Sequence, residues 1–146
     1  MIVTQSRTHM RPGFTLIEIM VAVIIVGIIA AAVAPLVFNY IKQTRVTRTK
    51  SDLRSIDGAI TMFNAGVGQF PSSLKDLIKA PLDEKVRKRW QESGGPFLKG
   101  NEVPEDAWNN PYVYRLTTGQ EHPYELFSYG PNGAGSTEGR ISVWDL

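Results

Sequence analysis

Glu18 is the one charged side chain between Phe14 and Ile41, set among Leu16, Ile17, Ile19 and Met20. A carboxylate in so apolar a run either pairs with a cation or snorkels to a water interface, because left unpaired in hydrocarbon it costs about 3 kcal/mol or more. The run itself offers no cation. A new α-amino group would supply one if the chain were cut just before Phe14. Other chemistry is thinly represented. His9 and His122 are the only histidines, cysteine is absent, and no G-x-S-x-G, H-E-x-x-H or P-loop pattern occurs. Gly130-Pro131-Asn132-Gly133-Ala134-Gly135 is glycine-rich, but no helix start follows it to present amides to a phosphate, so it reads as a turn. These residues argue against an enzyme.

The element that must position Glu18 is a helix. From Ile19 to Phe38 twenty residues carry no charged or polar side chain, about 30 Å of helix and enough to cross the hydrocarbon core of a bilayer. A secretory signal peptide would explain Arg7 and Arg11 and offers Ala32-Val33-Ala34 as a cleavage site. The run is too long for one, however, it carries Glu18 at its start, and cleavage there would leave Pro35 at the new terminus. A plain signal anchor with Glu18 snorkelling is the more serious rival, but it leaves Gly13-Phe14 without a purpose.

The stretch Gly13-Phe14-Thr15-Leu16-Ile17-Glu18 resembles the cleavage and assembly signature of type IV pilins and pseudopilins. In that family a prepilin peptidase cuts after the glycine and methylates the exposed phenylalanine. The resemblance implies a leader over 1–13, a transmembrane and filament-core helix over 14–41 and a periplasmic domain over 42–146. It makes Gly13 and Phe14 the processing site and gives Glu18 and Phe14 an assembly role.

Of the 146 residues, about a hundred remain for one small soluble domain. The whole chain carries a formal charge of +2, and removing 1–13 takes Arg7 and Arg11 away, leaving 14 basic against 14 acidic residues. A near-neutral mature chain gives no case for nucleic-acid binding. The missing cysteines exclude disulfides and thiolate metal sites, and weigh against adhesive type IV pilins, many of which close their C-terminal region with a disulfide. One charge pattern runs against the resemblance: Lys42, Arg45, Arg48 and Lys50 follow the span and outnumber Arg7 and Arg11. By the positive-inside rule they would hold the C-terminal part in the cytoplasm. The signature requires its leader to face a cytoplasmic peptidase, and so outweighs a statistical rule.

Past the span, Val46, Leu53 and Ile60 recur every seven residues, while Leu53, Ile56, Ile60 and Phe63 recur every three or four. This predicts one helix from Phe14 to about Phe63, roughly 75 Å long, whose second half packs on its own domain. Gly27 and Pro35 weaken the span between them, since Pro35 cannot donate to the carbonyl of Ala31. In related filaments this region is where the helix loosens, which gives Gly27 and Pro35 an assembly role; a kink in a continuous helix is the plainer alternative. Asn64 to Gly68 is expected to end the helix. Ser72 or Ser73 then caps a short helix carrying Leu74, Leu77 and Ile78, stopped by Pro81. Lys85 to Arg89 beside Trp90 reads as a solvated loop or helical turn over an apolar contact, with a partner-binding patch as the alternative.

Val103-Pro104-Glu105-Asp106-Ala107-Trp108-Asn109-Asn110-Pro111-Tyr112 resembles the L-P-x-D-P-W-G-N-P-Y segment of the major pseudopilin of type II secretion, the protein G type. Asn109 stands where that family has glycine, and asparagine tolerates positive φ better than most residues. Tyr112 to Leu116 alternates as a strand and Tyr124 to Tyr129 as its hairpin partner, joined through Thr118-Gly119-Gln120. The fold class is therefore α+β: a long N-terminal transmembrane and amphipathic helix packed on a small antiparallel sheet.

The protein G type binds calcium in the loop after its last hairpin. Leu126 and Ser128 match two of its ligand positions, but Asn132 replaces an aspartate and Arg140 stands before Ile141 where another belongs. Calcium takes six to eight oxygens and draws affinity from carboxylate charge. The expectation is no metal or cofactor, with the loop held by turns at Gly133, Gly135 and Gly139 and anchored by Trp144. A rebuilt site using Glu138 or Asp145 is the alternative.

The resemblance implies a structural subunit that assembles as a homopolymer. Its partners would be a prepilin peptidase, minor pseudopilins, an inner-membrane assembly platform and the lipid bilayer, with no nucleic acid. The filament would drive folded proteins through an outer-membrane channel. A type IV pilin for adhesion, twitching or DNA uptake, and a membrane-anchored enzyme or binding domain, are the alternative readings.

Overall fold

The computed structural model describes residues 13–117 and 119–146; Arg7, His9 and Arg11 of the expected leader, and Thr118 of the expected hairpin loop, lie outside them. Helix α1 runs from Leu16 to Val67, 52 residues without a break at Pro35. It passes through both compact units of the chain, which divide after Tyr40.

In the unit Ile41–Leu146, the second half of α1 supplies one face of the core. Leu53, Ile56, Ala59, Ile60, Phe63 and Val67 are buried along it at the predicted helical spacing, whereas Val46 is only half-buried. Each large side chain removed from water there stabilises the fold by about 1.5–3 kcal/mol. The helix continues one turn beyond Phe63, because Val67 still has core to fill and because Gly66 lies against Ser93 with no room for a side chain. Gly68, at φ +82°, ends it.

A single 3-10 turn follows at Leu74–Leu77, with Leu74 and Leu77 buried. It stops well before Pro81. The Asp76 carboxylate accepts from the backbone amides of Ser72 and Ser73, each at 3.0 Å, and so binds up donors at its start. The basic stretch forms helix α2, Glu84–Glu92, begun by Asp83 accepting from the Val86 amide at 3.0 Å. Trp90 turns into the core and donates its indole N–H to the Asp76 carbonyl at 2.8 Å, while Lys85, Arg87, Lys88 and Arg89 stay exposed.

The sheet has three antiparallel strands in the order β1 (Val113–Leu116), β2 (Tyr124–Ser128), β3 (Ile141–Ser142). The hairpin pairs Val113 with Phe127 and Leu116 with Tyr124. The third strand, within the stretch expected to be loop, pairs Ser128 with Ile141. Two residues are too few to leave a period in the sequence. A 3-10 turn at Gly130–Asn132 starts the return to β3. Gly130 sits at φ +71°, and a Cβ there would collide with the Gly139 carbonyl, so only glycine lets the two ends of this loop meet.

Candidate functional site

Two regions carry the candidate functional residues, and each follows from its own sequence. The first is the start of α1. Thr15 caps the helix by accepting the Glu18 amide on its hydroxyl at 3.3 Å. Glu18 thus occupies the third helical position of a Thr-x-x-Glu pattern, where the helix dipole favours an acid. The same pairing fixes Glu18 one turn from Phe14. Phe14, Leu16 and Ile17 are exposed, and no residue in the apolar window of the helix is buried within the chain. Among the described residues none forms an ion pair with Glu18. Around Gly27 there is open space, so no contact within the chain requires glycine there. Pro35 lies inside the continuous helix.

The second region joins the V-P-E-D-A-W segment to the sheet and to α1. Asp106 is fully buried. Its Oδ1 accepts from the amides of Trp108 and Asn110, both at 2.9 Å, and its Oδ2 accepts from the Ser128 hydroxyl at 2.5 Å. The Ala107 amide donates to the buried Thr49 hydroxyl of α1 at 3.3 Å. Asn109 takes φ +62°, the conformation expected where the family carries glycine. Tyr112 and Tyr124 donate to Asp52 and Asp57 of α1 at 3.2 and 2.5 Å. Burial, and then the neighbouring carboxylate, pushes each phenol well above the ordinary tyrosine range; Tyr114, bonded to the Pro71 carbonyl at 2.9 Å, is raised chiefly by burial. The sequence reading did not single out Asp106, Thr49, Asp52 or Asp57. Asp106 lies within the quoted motif, but neither its burial nor the partners of the other three have a signature in spacing.

The loop after β2 is closed by protein groups. The Asn132 side-chain amide donates to the Glu138 carbonyl at 3.0 Å, and the Ser136 hydroxyl donates to the same oxygen at 3.2 Å. Ser128 is engaged with Asp106 and accepts the Gly130 amide at 2.9 Å. The Arg140 guanidinium lies over the Phe127 ring, its carbon 3.5 Å from the centroid, and reaches Glu125 at 3.5 Å. Trp144 donates its indole N–H to the Tyr124 carbonyl at 2.9 Å and stacks on His122, which ties the end of β3 back to β2. Glu138 presents its backbone carbonyl to this loop, and among the described residues no three acidic or histidine side chains converge on a point that could hold a metal.

An extended apolar helix whose second half is packed on a small antiparallel sheet, with an acid one turn into the apolar run, defines a pilin-like subunit. The comparisons narrow the class. The sequence pattern described as type II secretion system protein G matches residues 36–144, and the prokaryotic N-terminal methylation motif matches residues 9–34. The chain belongs to the type II secretion system protein G family. It is 39% identical over 141 residues to a type II secretion system core protein G of Pseudomonas aeruginosa, covering 92% of this chain and 96% of the relative. It is 30% identical over 142 residues to the Escherichia coli K12 protein of the same name, covering 95% and 94%. The crystal structure of the major pseudopilin of enterohaemorrhagic Escherichia coli shares the fold, with a TM-score of 0.54 at 22% identity over 71% of this chain and 90% of that one. The chain is thus a structural pseudopilin and not an enzyme, as the G-F-T-L-I-E and V-P-E-D-A-W segments implied.

Proposed function

We propose that this chain is the repeating subunit of a filament that grows from the inner membrane into the periplasm and drives folded proteins through an outer-membrane channel. The observation that carries the reading is the start of α1: an apolar helix with no buried residue and with one acid, Glu18, that has no cation of its own among the described residues. A homopolymer supplies both missing partners at once, an apolar neighbour for the helix and an α-amine for the acid. Cleavage between Gly13 and Phe14 by a prepilin peptidase creates that amine, and N-methylation leaves it cationic. Glu18 of one subunit then pairs with Phe14 of the next. Only a neighbour at one axial offset can form the pair, so it sets register. The open space around Gly27 suits close approach of a neighbouring helix, and loosening between Gly27 and Pro35 would let subunits slide.

Before assembly the same helix anchors the chain in the inner membrane with 42–146 in the periplasm, where minor pseudopilins and the assembly platform would meet it. The second region has a supporting role. Asp106, Ser128 and Thr49 fix the sheet to the upper helix without calcium, the Asn132 amide holding the loop that an ion would otherwise close. Electron microscopy of sheared envelopes from cells overproducing the chain, with a secretion assay in its absence, tests the reading. Filaments and loss of export are expected; export unaffected by deletion would overturn it.

A further inference from the structure

The unit Ile41–Leu146 divides its charge along the chain. Residues 41–99 hold twelve Lys or Arg against six Asp or Glu, and residues 100–146 hold two against seven. The fold sharpens this difference. Asp52, Asp57 and Asp76, three of the six acids in the helical segment, are half-buried and accept hydrogen bonds from Tyr112, Tyr124 and Ser72. That segment then exposes eleven bases and three acids, whereas the sheet segment exposes five acids and two bases. Each segment also exposes large apolar side chains next to its dominant charge. Leu82, 97% exposed, precedes Lys85 and Lys88 of α2. Trp144 and Leu146 flank Asp145, and His122, which stacks on Trp144, follows Glu121 directly in the chain. Among the described residues Lys85, Lys88, Glu121 and Asp145 form no ion pair within the chain.

We propose that Leu82, Lys85 and Lys88 dock on the Trp144–Leu146 patch of a second copy, with Lys85 and Lys88 facing Asp145 and Glu121. This rests on the filament reading and names a contact between the soluble units. A two-fold contact through either patch would set like charges against each other. The contact between unlike patches is head-to-tail, and a head-to-tail contact that does not close on itself builds an open helical filament. The apolar side chains supply the buried centre, and the charges select the partner and the direction.

The chain has no cysteine, so Leu82→Cys combined with Leu146→Cys reports the contact in the full-length protein. Oxidising sheared filaments of the double variant should give a ladder of disulfide-linked oligomers, with no ladder and no dimer from either single variant. Lys85→Glu with Lys88→Glu should cut the assembled fraction about tenfold, and adding Glu121→Lys with Asp145→Lys should recover it. The circular dichroism of these exposed-site variants should match wild type. Wild-type filaments with no ladder, dimers from a single variant, or charge-reversed chains that assemble normally would each overturn the contact and leave the filament reading standing. No filaments from wild type under any condition would remove both.

Discussion

The hydroxyl of Ser128, in β2, donates to the buried carboxylate of Asp106 at 2.5 Å across 22 residues of sequence. The other oxygen of Asp106 organises the turn over Trp108 and Asn110, and the next amide, that of Ala107, bonds to Thr49 in α1. Helix, turn and sheet therefore meet at the Asp106–Ala107 pair. Removing the partners of Asp106 leaves a buried acceptor short of donors, which costs more than the bond contributes when made. Ser128→Ala should destabilise the full-length chain in detergent by about 1–3 kcal/mol, and Asp106→Ala by about 3 kcal/mol or more, read as falls in the melting temperature. Equal melting of wild type and Asp106→Ala would show that the carboxylate does not hold the fold.

Processing is checked by intact mass. The membrane-extracted mature chain should begin at Phe14 and carry one added methyl group, and Gly13→Val should block the cut. A mature chain starting at any other residue contradicts the assignment.

Glu18→Ala should leave the monomer folded and membrane-bound but abolish filaments, because the substitution removes register without disturbing the soluble core. Glu18→Gln separates charge from hydrogen bonding, and should also fail to assemble. Normal polymerisation of overproduced Glu18→Ala would sink the pairing.

Calcium at millimolar concentration should move the melting temperature of the full-length chain little, and chelator should do nothing. The donor set of the loop explains the expectation: Asn132 contributes an N–H to Glu138, and Arg140 brings a cation to its far end. A large stabilisation reversed by chelator would mean that Glu138 or Asp145 has rebuilt a site.

Alkaline stability should depend on the buried phenols. Tyr112, Tyr114 and Tyr124 hold their protons in the folded chain beyond the ordinary value of 10.0, whereas the unfolded chain releases them near it. The unfolded state then binds fewer protons, so stability present below about pH 10 is lost as pH rises from there towards the raised values. The melting temperature should fall above about pH 10, and less steeply in Tyr124→Phe. Parallel curves for the two proteins would remove Tyr124 from the effect.

What could be read from the sequence was whatever repeats locally or is chemically singular. The run from Ile19 to Phe38, the isolated Glu18 and the junction Gly13-Phe14 mark a helix long and apolar enough to cross a membrane and point to its family, because hydrophobic length and a lone charge need no folded context. The spacing of Leu53, Ile56, Ile60 and Phe63 marked the buried face of α1, and the alternation around Tyr114 and Leu126 marked the hairpin. Tertiary structure decided the rest. β3 exists only because Ile141 and Ser142 are returned to β2 by the loop that Gly130 lets close. Nothing in the spacing of α1 marks Asp52 and Asp57 as bonded, yet Tyr112 and Tyr124 reach them from the sheet. Asp106 could not be recognised as the junction until Thr49 and Ser128 arrived from segments 57 residues before it and 22 after it. A hydrophobic period is a property of neighbours along the chain, whereas a buried hydrogen bond is a property of partners brought together by packing the core.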